Sequence, residues 1–366
     1  MQLLLLTALL VSVSLAQNMP SSPIRVAIVG LVHGHVAGIL PQLNTSRDAQ
    51  LIGISEPNTT LAKQYADDYH LAASLFYTDM ETMLTAQAPD AVLVYTTILD
   101  HRRTIEVAAT HGIHAMVEKP LSTTLEDALA IRQVSRKNNV HVLTNYETTW
   151  YPSNTEALRA VHAGDLGTIR KTLVYDGHMG PAEIGVGPEW LPWLTDPVQN
   201  GAGALFDFGC YGADLATVLH RGAAPKSVTA MTATNRPGEY PLVDDDATVV
   251  LQYEGSQAII VPSWSWTYNR KDMEVYGTNG SVRTVGSGNV TMWDVQGIVT
   301  GPLAAPPLPA GQNSSLAYLR AVLREEVVDE GDLSALDTNL VVMQILEAAR
   351  ESARTEKTLE LTVLPP

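Results

Sequence analysis

The sequence predicts a doubly wound α/β domain over residues 24–146, followed by an α+β domain over 147–366 with an open, mainly antiparallel sheet. Three observations predict this. Up to Tyr146, short β-branched runs alternate with polar–apolar stretches at helical spacing, the pattern of parallel strands joined by right-handed crossovers. After Trp150 that rhythm gives way to a series of short alternating runs with turn signals between them, the pattern of antiparallel strands. Finally, 366 residues are too many for one ordinary core.

In the first domain the expected strands are Arg25–Val29, Leu51–Ser55, a weaker one near Leu75–Tyr77, Ala91–Tyr95, His114–Glu118 and His141–Asn145. The expected helices between them are Val36–Leu43, Leu61–Tyr69, Met80–Ala86, Arg103–His111 and Leu125–Asn138. The second domain opens with a helix at Thr155–Val161 and a strand at Ile169–Tyr175. A Gly/Pro/Trp-rich loop runs from Gly177 to Gly203 and leads into a helix at Tyr211–Leu219. Antiparallel strands are expected between Lys226 and Val295. Helices near Leu316–Val328 and Ser334–Arg354 follow, and a last strand at Leu359–Leu364. The acidic run Asp244–Asp246 reads as a solvated turn.

Composition narrows the partners. A net charge of −16 repels phosphate backbones and anionic lipid, so nucleic acid is not an expected partner. Met1–Ala16 is apolar with small residues at Ser14 and Ala16, the form of a secretory signal cut before Gln17. The expectation is a secreted or periplasmic protein with no membrane attachment after that cut. The lone Cys210 allows no internal disulfide, so stability must come from core burial. Sequons stand at Asn44, Asn58, Asn279, Asn289 and Asn313.

The chemistry begins at Val26–Gly30, a strand that ends in glycine ahead of a helix. Such a Rossmann turn lets helix N–H groups face a pyrophosphate. Val32 and His35 stand where a G-x-G-x-x-G fingerprint has its second and third small residues, while Gly34 and Gly38 shift the spacing. Gly30, Val32, His33, Gly34 and His35 are therefore the expected pyrophosphate turn. Glu56, after the second strand, is placed to accept both ribose hydroxyls, which favours NAD while leaving NADP open. His33 and His35 have no second matching pair in the sequence, and no metal site is expected.

The stretch from Val94 through Tyr95, Thr96, Thr97, Ile98, Leu99 and Asp100 to His101, followed by Glu118-Lys119-Pro120, resembles the Gfo/Idh/MocA oxidoreductases. A later stretch resembles the second signature of that family: Trp193, Asp196-Pro197, Gly201, Gly203, Asp207, Gly209, Tyr211 and Asp214. Tyr211 stands where most members carry histidine, as in the glucose-fructose oxidoreductase and dihydrodiol dehydrogenase branch. The resemblance implies NAD(P)-dependent hydride transfer on a sugar-like molecule. It implies that Lys119 serves both cofactor and substrate, that Thr96, Thr97, His101 and Glu118 line the cofactor pocket, and that Tyr211 is the acid/base. It also implies a dimer or tetramer formed through the C-terminal sheet.

Hydride transfer needs a proton acceptor or donor and stabilisation of the developing alkoxide. An ammonium at Lys119 is expected to lower the phenol pKa of Tyr211, and Asp207, one helical turn earlier, to orient the lysine or bind substrate. His178 is a reserve acid/base, Trp150 and Trp193 are candidate stacking residues, and Asp214 is expected to cap or pack. Trp264, Trp266 and Tyr268 alternate as if along one strand and are expected in the core or at an interface. Because free NAD is scarce outside the cytoplasm, export implies a tightly held, recycled cofactor. Two other functions fit the same residues: a glycoside hydrolase using transient NAD oxidation, and a non-catalytic nucleotide-binding sensor.

Overall fold

The structure, a computed structural model, describes residues 22–364; the expected export segment Met1–Ala16 lies outside the described residues. The first six strands are β1 (Ile24–Val29), β2 (Ala49–Ser55), β3 (Phe76–Tyr77), β4 (Ala91–Val94), β5 (His114–Glu118) and β6 (Val142–Asn145). They form one parallel sheet in the order β3-β2-β1-β4-β5-β6. Its central strands are buried on both faces, and β4 is apolar throughout, as a sheet covered by helices on both sides requires. Those helices are α1 (Val36–Thr45), α2 (Thr59–Asp68), α3 (Met80–Gln87), α4 (His101–Thr110) and α5 (Leu125–Asn138). Local chemistry sets their ends. Thr124 caps α5 by accepting the Asp127 N–H, acids occupy its first turn and Arg136 and Lys137 its last. The strand order reverses between β1 and β4, which opens a crevice at their carboxyl ends.

The rest of the chain adds α6 (Pro152–Ala163), β7 (Ile169–Gly177), α7 (Leu191–Leu194), α8 (Ala204–Asp207), α9 (Gly209–Leu219), β8 (Ser227–Ala233), β9 (Asp246–Tyr253), β10 (Ser256–Ser263), β11 (Arg270–Gly277), β12 (Gly280–Val285) and β13 (Asn289–Asp294). It ends with α10 (Ser315–Leu323), α11 (Leu336–Thr355) and β14 (Leu359–Glu360). The second sheet runs β13-β12-β11-β7-β10-β9-β8-β14. Every neighbouring pair is antiparallel except β7 and β10. Helix α9 is buried along its whole length, because the sheet covers one side and α11 another. Helix α11 also packs on α5, and Tyr146 donates to Asn339 across this seam at 2.8 Å. The two sheets are thus held against each other, with the mouth between them at the ends of β5 and β7.

Several expectations change. Strand β10 ends at Ser263, so Trp264, Trp266 and Tyr268 lie in a loop; Trp264 is fully buried and Tyr268 exposed. Helix α10 stops at Leu323 rather than Val328, and the last strand has only two residues. Asp244–Asp246 is not a solvated turn. The Asp244 carboxylate accepts the N–H groups of Gly203 and Leu205 at 2.9 and 2.7 Å, and Asp245 is buried, accepting those of Asn235 and Arg236. Backbone donors compensate the burial of these charges, an arrangement that local composition does not reveal.

Candidate active site

Lys119 follows β5 and Asp207 ends α8, so the mouth between the two sheets brings them together. The buried Lys119 ammonium forms an ion pair with Asp207 Oδ1 and donates to the Asp207 carbonyl at 3.0 Å. Trp264 Nε1 donates to the other carboxylate oxygen at 2.9 Å. Burial works against both charges. The pair overrides it, holding the lysine above its ordinary pKa and the aspartate below. Asp207 owes its position to the Asp244 bracket. A side chain at residue 203 would meet the Asp244 carbonyl oxygen at 1.8 Å, so only glycine fits there.

Tyr211, in the first turn of α9, presents its ring to two ammonium groups. Lys119 Nζ lies 5.2 Å from the ring centroid and Lys271 Nζ 4.7 Å. Lys271, at the start of β11, forms an ion pair with Glu147. Both lysines meet the face of the ring, and burial pushes the phenol well above its ordinary pKa. The expected lowering of the Tyr211 pKa is therefore not found: burial first, and then the nearby Glu147, Cys210 and Asp207, disfavour the phenolate. Tyr211 is a neutral, proton-bearing phenol in this state. Lys119, Asp207, Tyr211, His178, Glu147 and Lys271 line one cavity of about 490 Å³. Burial drives the imidazole of His178 down to about 4, and its Nδ1 accepts the Gly180 N–H at 2.9 Å.

A second cavity, of about 240 Å³, lies at the strand-order reversal and is lined in part by Gly30, Ser55, Asp79, Thr96 and Arg103. Gly30 has φ +80°, and a Cβ there would press on Thr96 and the Tyr95 carbonyl. This is the tight glycine turn that a dinucleotide needs, and the polar lining of the groove suits the adenylate part of NAD or NADP. Glu56 departs from its expected role. It is buried, with one oxygen accepting the Leu31 N–H and the other the Asn58 N–H. It braces the turn instead of facing ribose, so its identity does not select NAD over NADP.

Other expected residues are placed differently. His101 is buried beneath the turn after β5, with Nδ1 near the Leu121 carbonyl and its pKa lowered to about 4 by burial. Thr97 bonds to Asp100 ahead of α4; only Thr96 of that pair lines the groove. Trp193 is 4% exposed and donates to the Val32 carbonyl at 3.2 Å, so it packs the turn rather than stacking on substrate. Trp150 lines a neighbouring cavity with Glu118, not the one holding Lys119. Gly34 lies under Trp190, whose ring a Cβ would meet at 2.1 Å. His33 is buried against Trp190 and Trp193, and His35 Nδ1 lies 2.9 Å from Glu118 Oε2. The reading of the sequence missed Trp190, Glu147 and Lys271. The first two carry no local signal; the third is an inward-facing lysine beginning a strand, visible only once register is known.

Comparison with known proteins agrees with this architecture. Residues 24–146 match the model of the oxidoreductase family with an NAD-binding Rossmann fold, and residues 155–283 match the GFO/IDH/MocA C-terminal domain. The chain is 24% identical over 322 residues to trans-1,2-dihydrobenzene-1,2-diol dehydrogenase of Xenopus tropicalis, covering 83% of this chain and 90% of that one. It is 25% identical over 260 residues to the NADP(+) scyllo-inositol 2-dehydrogenase of Bacillus subtilis, covering 71% and 75%. Among solved structures, aldose-aldose oxidoreductase from Caulobacter crescentus complexed with glycerol superposes with a TM-score of 0.78 at 25% identity, covering 93% of this chain and 100% of that one. An inositol dehydrogenase homolog from Azotobacter vinelandii, complexed with NAD+, shares the fold with a TM-score of 0.78 at 20% identity, covering 93% and 98%. The two-sheet architecture, the glycine turn and the two family matches together show that this chain belongs to the Gfo/Idh/MocA family of NAD(P)-dependent oxidoreductases.

Proposed function

We propose that the protein transfers hydride between a nicotinamide cofactor and a carbinol or carbonyl carbon of a sugar-like polyhydroxylated molecule, in the cavity lined by Lys119, Asp207 and Tyr211. The observation that carries this reading is the convergence of the buried Lys119–Asp207 pair on the Tyr211 ring, inside a cavity that also holds Glu147, His178 and Lys271. The nicotinamide supplies the hydride chemistry when bound. Lys119 holds the reacting oxygen and stabilises negative charge developing on it. Tyr211, carrying its proton, donates it to that oxygen during carbonyl reduction and takes it back in the reverse direction. Asp207 fixes the ammonium, and Trp264 fixes Asp207. The Glu147–Lys271 pair offers one acceptor and one donor for further hydroxyls.

Gly30 and Thr96 hold the dinucleotide end of the cofactor, with Arg103 exposed at the same groove. Either NAD or NADP serves this reading. A secreted or periplasmic location, read from Met1–Ala16, and pairing of subunits through the open sheet belong to the same proposal, and a tightly held cofactor follows from that location. Among the described residues, no helix is long and apolar enough to cross a membrane.

The test is incubation of the purified protein with NAD or NADP and a panel of aldoses, polyols and aryl glycosides, following reduced nicotinamide and product. Reduced nicotinamide formed in proportion to oxidised sugar supports the reading. Glycoside cleavage with no net nicotinamide reduction overturns it in favour of a hydrolase. Cofactor binding with no turnover overturns it in favour of a sensor.

A further inference from the structure

The glycine turn and the end of β5 bring together three side chains to which the proposed hydride transfer assigns no chemical step, although His35 also lines the cavity that holds Lys119. One ligand atom each from His33, His35 and Glu118 lies within 4.8 Å of the other two. The two imidazoles stand 4.6 Å apart, centroid to centroid. Gly34 between them lies flat under Trp190, so both rings project past the same covered turn. Glu118 is aimed from behind. Its Oε1 accepts from Asn145 Nδ2 at 2.9 Å, and Asn145 Oδ1 accepts from Trp150 Nε1 at 3.0 Å. The His33 imidazole accepts a long contact, 3.3 Å, from the His35 N–H at its Nδ1.

We propose that His33, His35 and Glu118 form a divalent transition-metal site between the glycine turn and β5. Two imidazoles and one carboxylate are a donor set suited to zinc and its neighbours rather than to magnesium or calcium. Bonds of about 2.0–2.2 Å put tetrahedral ligands about 3.3 Å apart, so the cluster closes by a modest rotation of His35, which is 38% exposed on its side chain. The outer carboxamide and indole supply the supporting hydrogen bonds that hold metal-binding carboxylates in place. The neighbouring cation, Lys119, is already engaged by Asp207. Of the three ligands, His35 and Glu118 line a cavity of about 490 Å³ together with Asn145, Glu147, Trp150 and Ser314, a space from which water or a ligand oxygen would complete the sphere. The sequence shows the two histidines but not the carboxylate, which arrives from a strand 83 residues away.

This site goes beyond the redox reading and is tested apart from it. The full mature chain, stripped with chelator and free of nicotinamide and sugar, is titrated with Co2+, following the visible Co2+ spectrum and calorimetric stoichiometry. The expected result is one equivalent bound with a nitrogen–oxygen-ligand spectrum. His35→Gln, at a half-exposed position that spares packing, loses that equivalent. Asn145→Ala weakens binding by about 10- to 100-fold. His141→Gln, in the separate His114–His141 pair, leaves it unchanged. No bound Co2+ in the wild type, or unchanged binding in His35→Gln, overturns the site. Neither result touches nicotinamide turnover, which is read separately with no metal added.

Discussion

At the residue scale, the Lys119–Asp207 pair joins stability to chemistry. Replacing Lys119 with Met removes the group that steadies the reacting oxygen, and kcat is expected to fall by about 100- to 1,000-fold. The same change leaves Asp207 buried with, among the described residues, only Trp264 as a side-chain donor, a loss of about 3–5 kcal/mol in unfolding free energy. The double variant Lys119→Met/Asp207→Asn is expected to regain most of that stability and none of the activity. Denaturant unfolding and steady-state rates on the two variants check both halves. Arg103 offers a second test at this scale. It is exposed at the glycine-turn groove, whereas Glu56 is turned inward, so Arg103 is the groove's available partner for a 2′-phosphate. Arg103→Ala is expected to weaken NADP binding about tenfold or more while leaving NAD nearly unchanged. Titration with both cofactors measures the ratio. The convergence of Lys119, Asp207 and Tyr211 on one cavity was legible in the sequence because each stands in a contiguous motif. The direction in which Glu56 and Trp193 point was not, because backbone donors elsewhere in the fold claim the carboxylate and a turn carbonyl claims the indole.

At the element scale, the placement of α8 and α9 depends on a bracket far away in the chain. Asp244 holds Gly203 and Leu205 by their backbone N–H groups and so fixes where Asp207 emerges. Asp244→Ala leaves two donors unsatisfied and is expected to cost about 1–3 kcal/mol each at most. It is also expected to reduce kcat, since Asp207 loses its register against Lys119. A stability loss with unchanged kcat would show that α8 is held by packing alone. The strands of the first sheet and helices such as α5, with its Thr124 cap and basic last turn, follow directly from periodicity and capping. The acidic run did not, because three consecutive aspartates look the same in a solvated turn and in a buried backbone clamp. The Trp264 segment was misjudged for a related reason: alternation marks a strand only while a neighbouring strand is there to pair with it.

At the scale of the whole molecule, α10 and α11 return to the first sheet and join the two halves. A charge pair lies at this return: His141, just before β6, bonds to Asp329 in the segment between α10 and α11 at 3.0 Å. The Asp329 hydrogen bond raises the His141 pKa. Burial opposes ionisation of Asp329, yet His141 brings its pKa below the ordinary value. The histidine's contribution to stability is full below its unfolded value of about 6.5 and is lost as pH rises through its higher folded value. The aspartate's contribution is present above its unfolded value of about 3.9 and is lost as pH falls through its lower folded value. The pair therefore stabilises most between about pH 4 and 6.5, by under about 1 kcal/mol because the histidine is more than a third exposed. Unfolding midpoints across pH for His141→Gln and the wild type are expected to converge above neutrality. The central claim is that the lysine after β5 and the phenol opening α9 act on one reacting oxygen. It is tested most directly by single-turnover transfer of deuterium from C4-labelled NAD(P)H to an aldose carbonyl. The account predicts a deuterated alcohol from the wild type and at least a hundredfold slower transfer in both Lys119→Met and Tyr211→Phe. Transfer at the wild-type rate in either variant, or none in the wild type with cofactor bound, contradicts it.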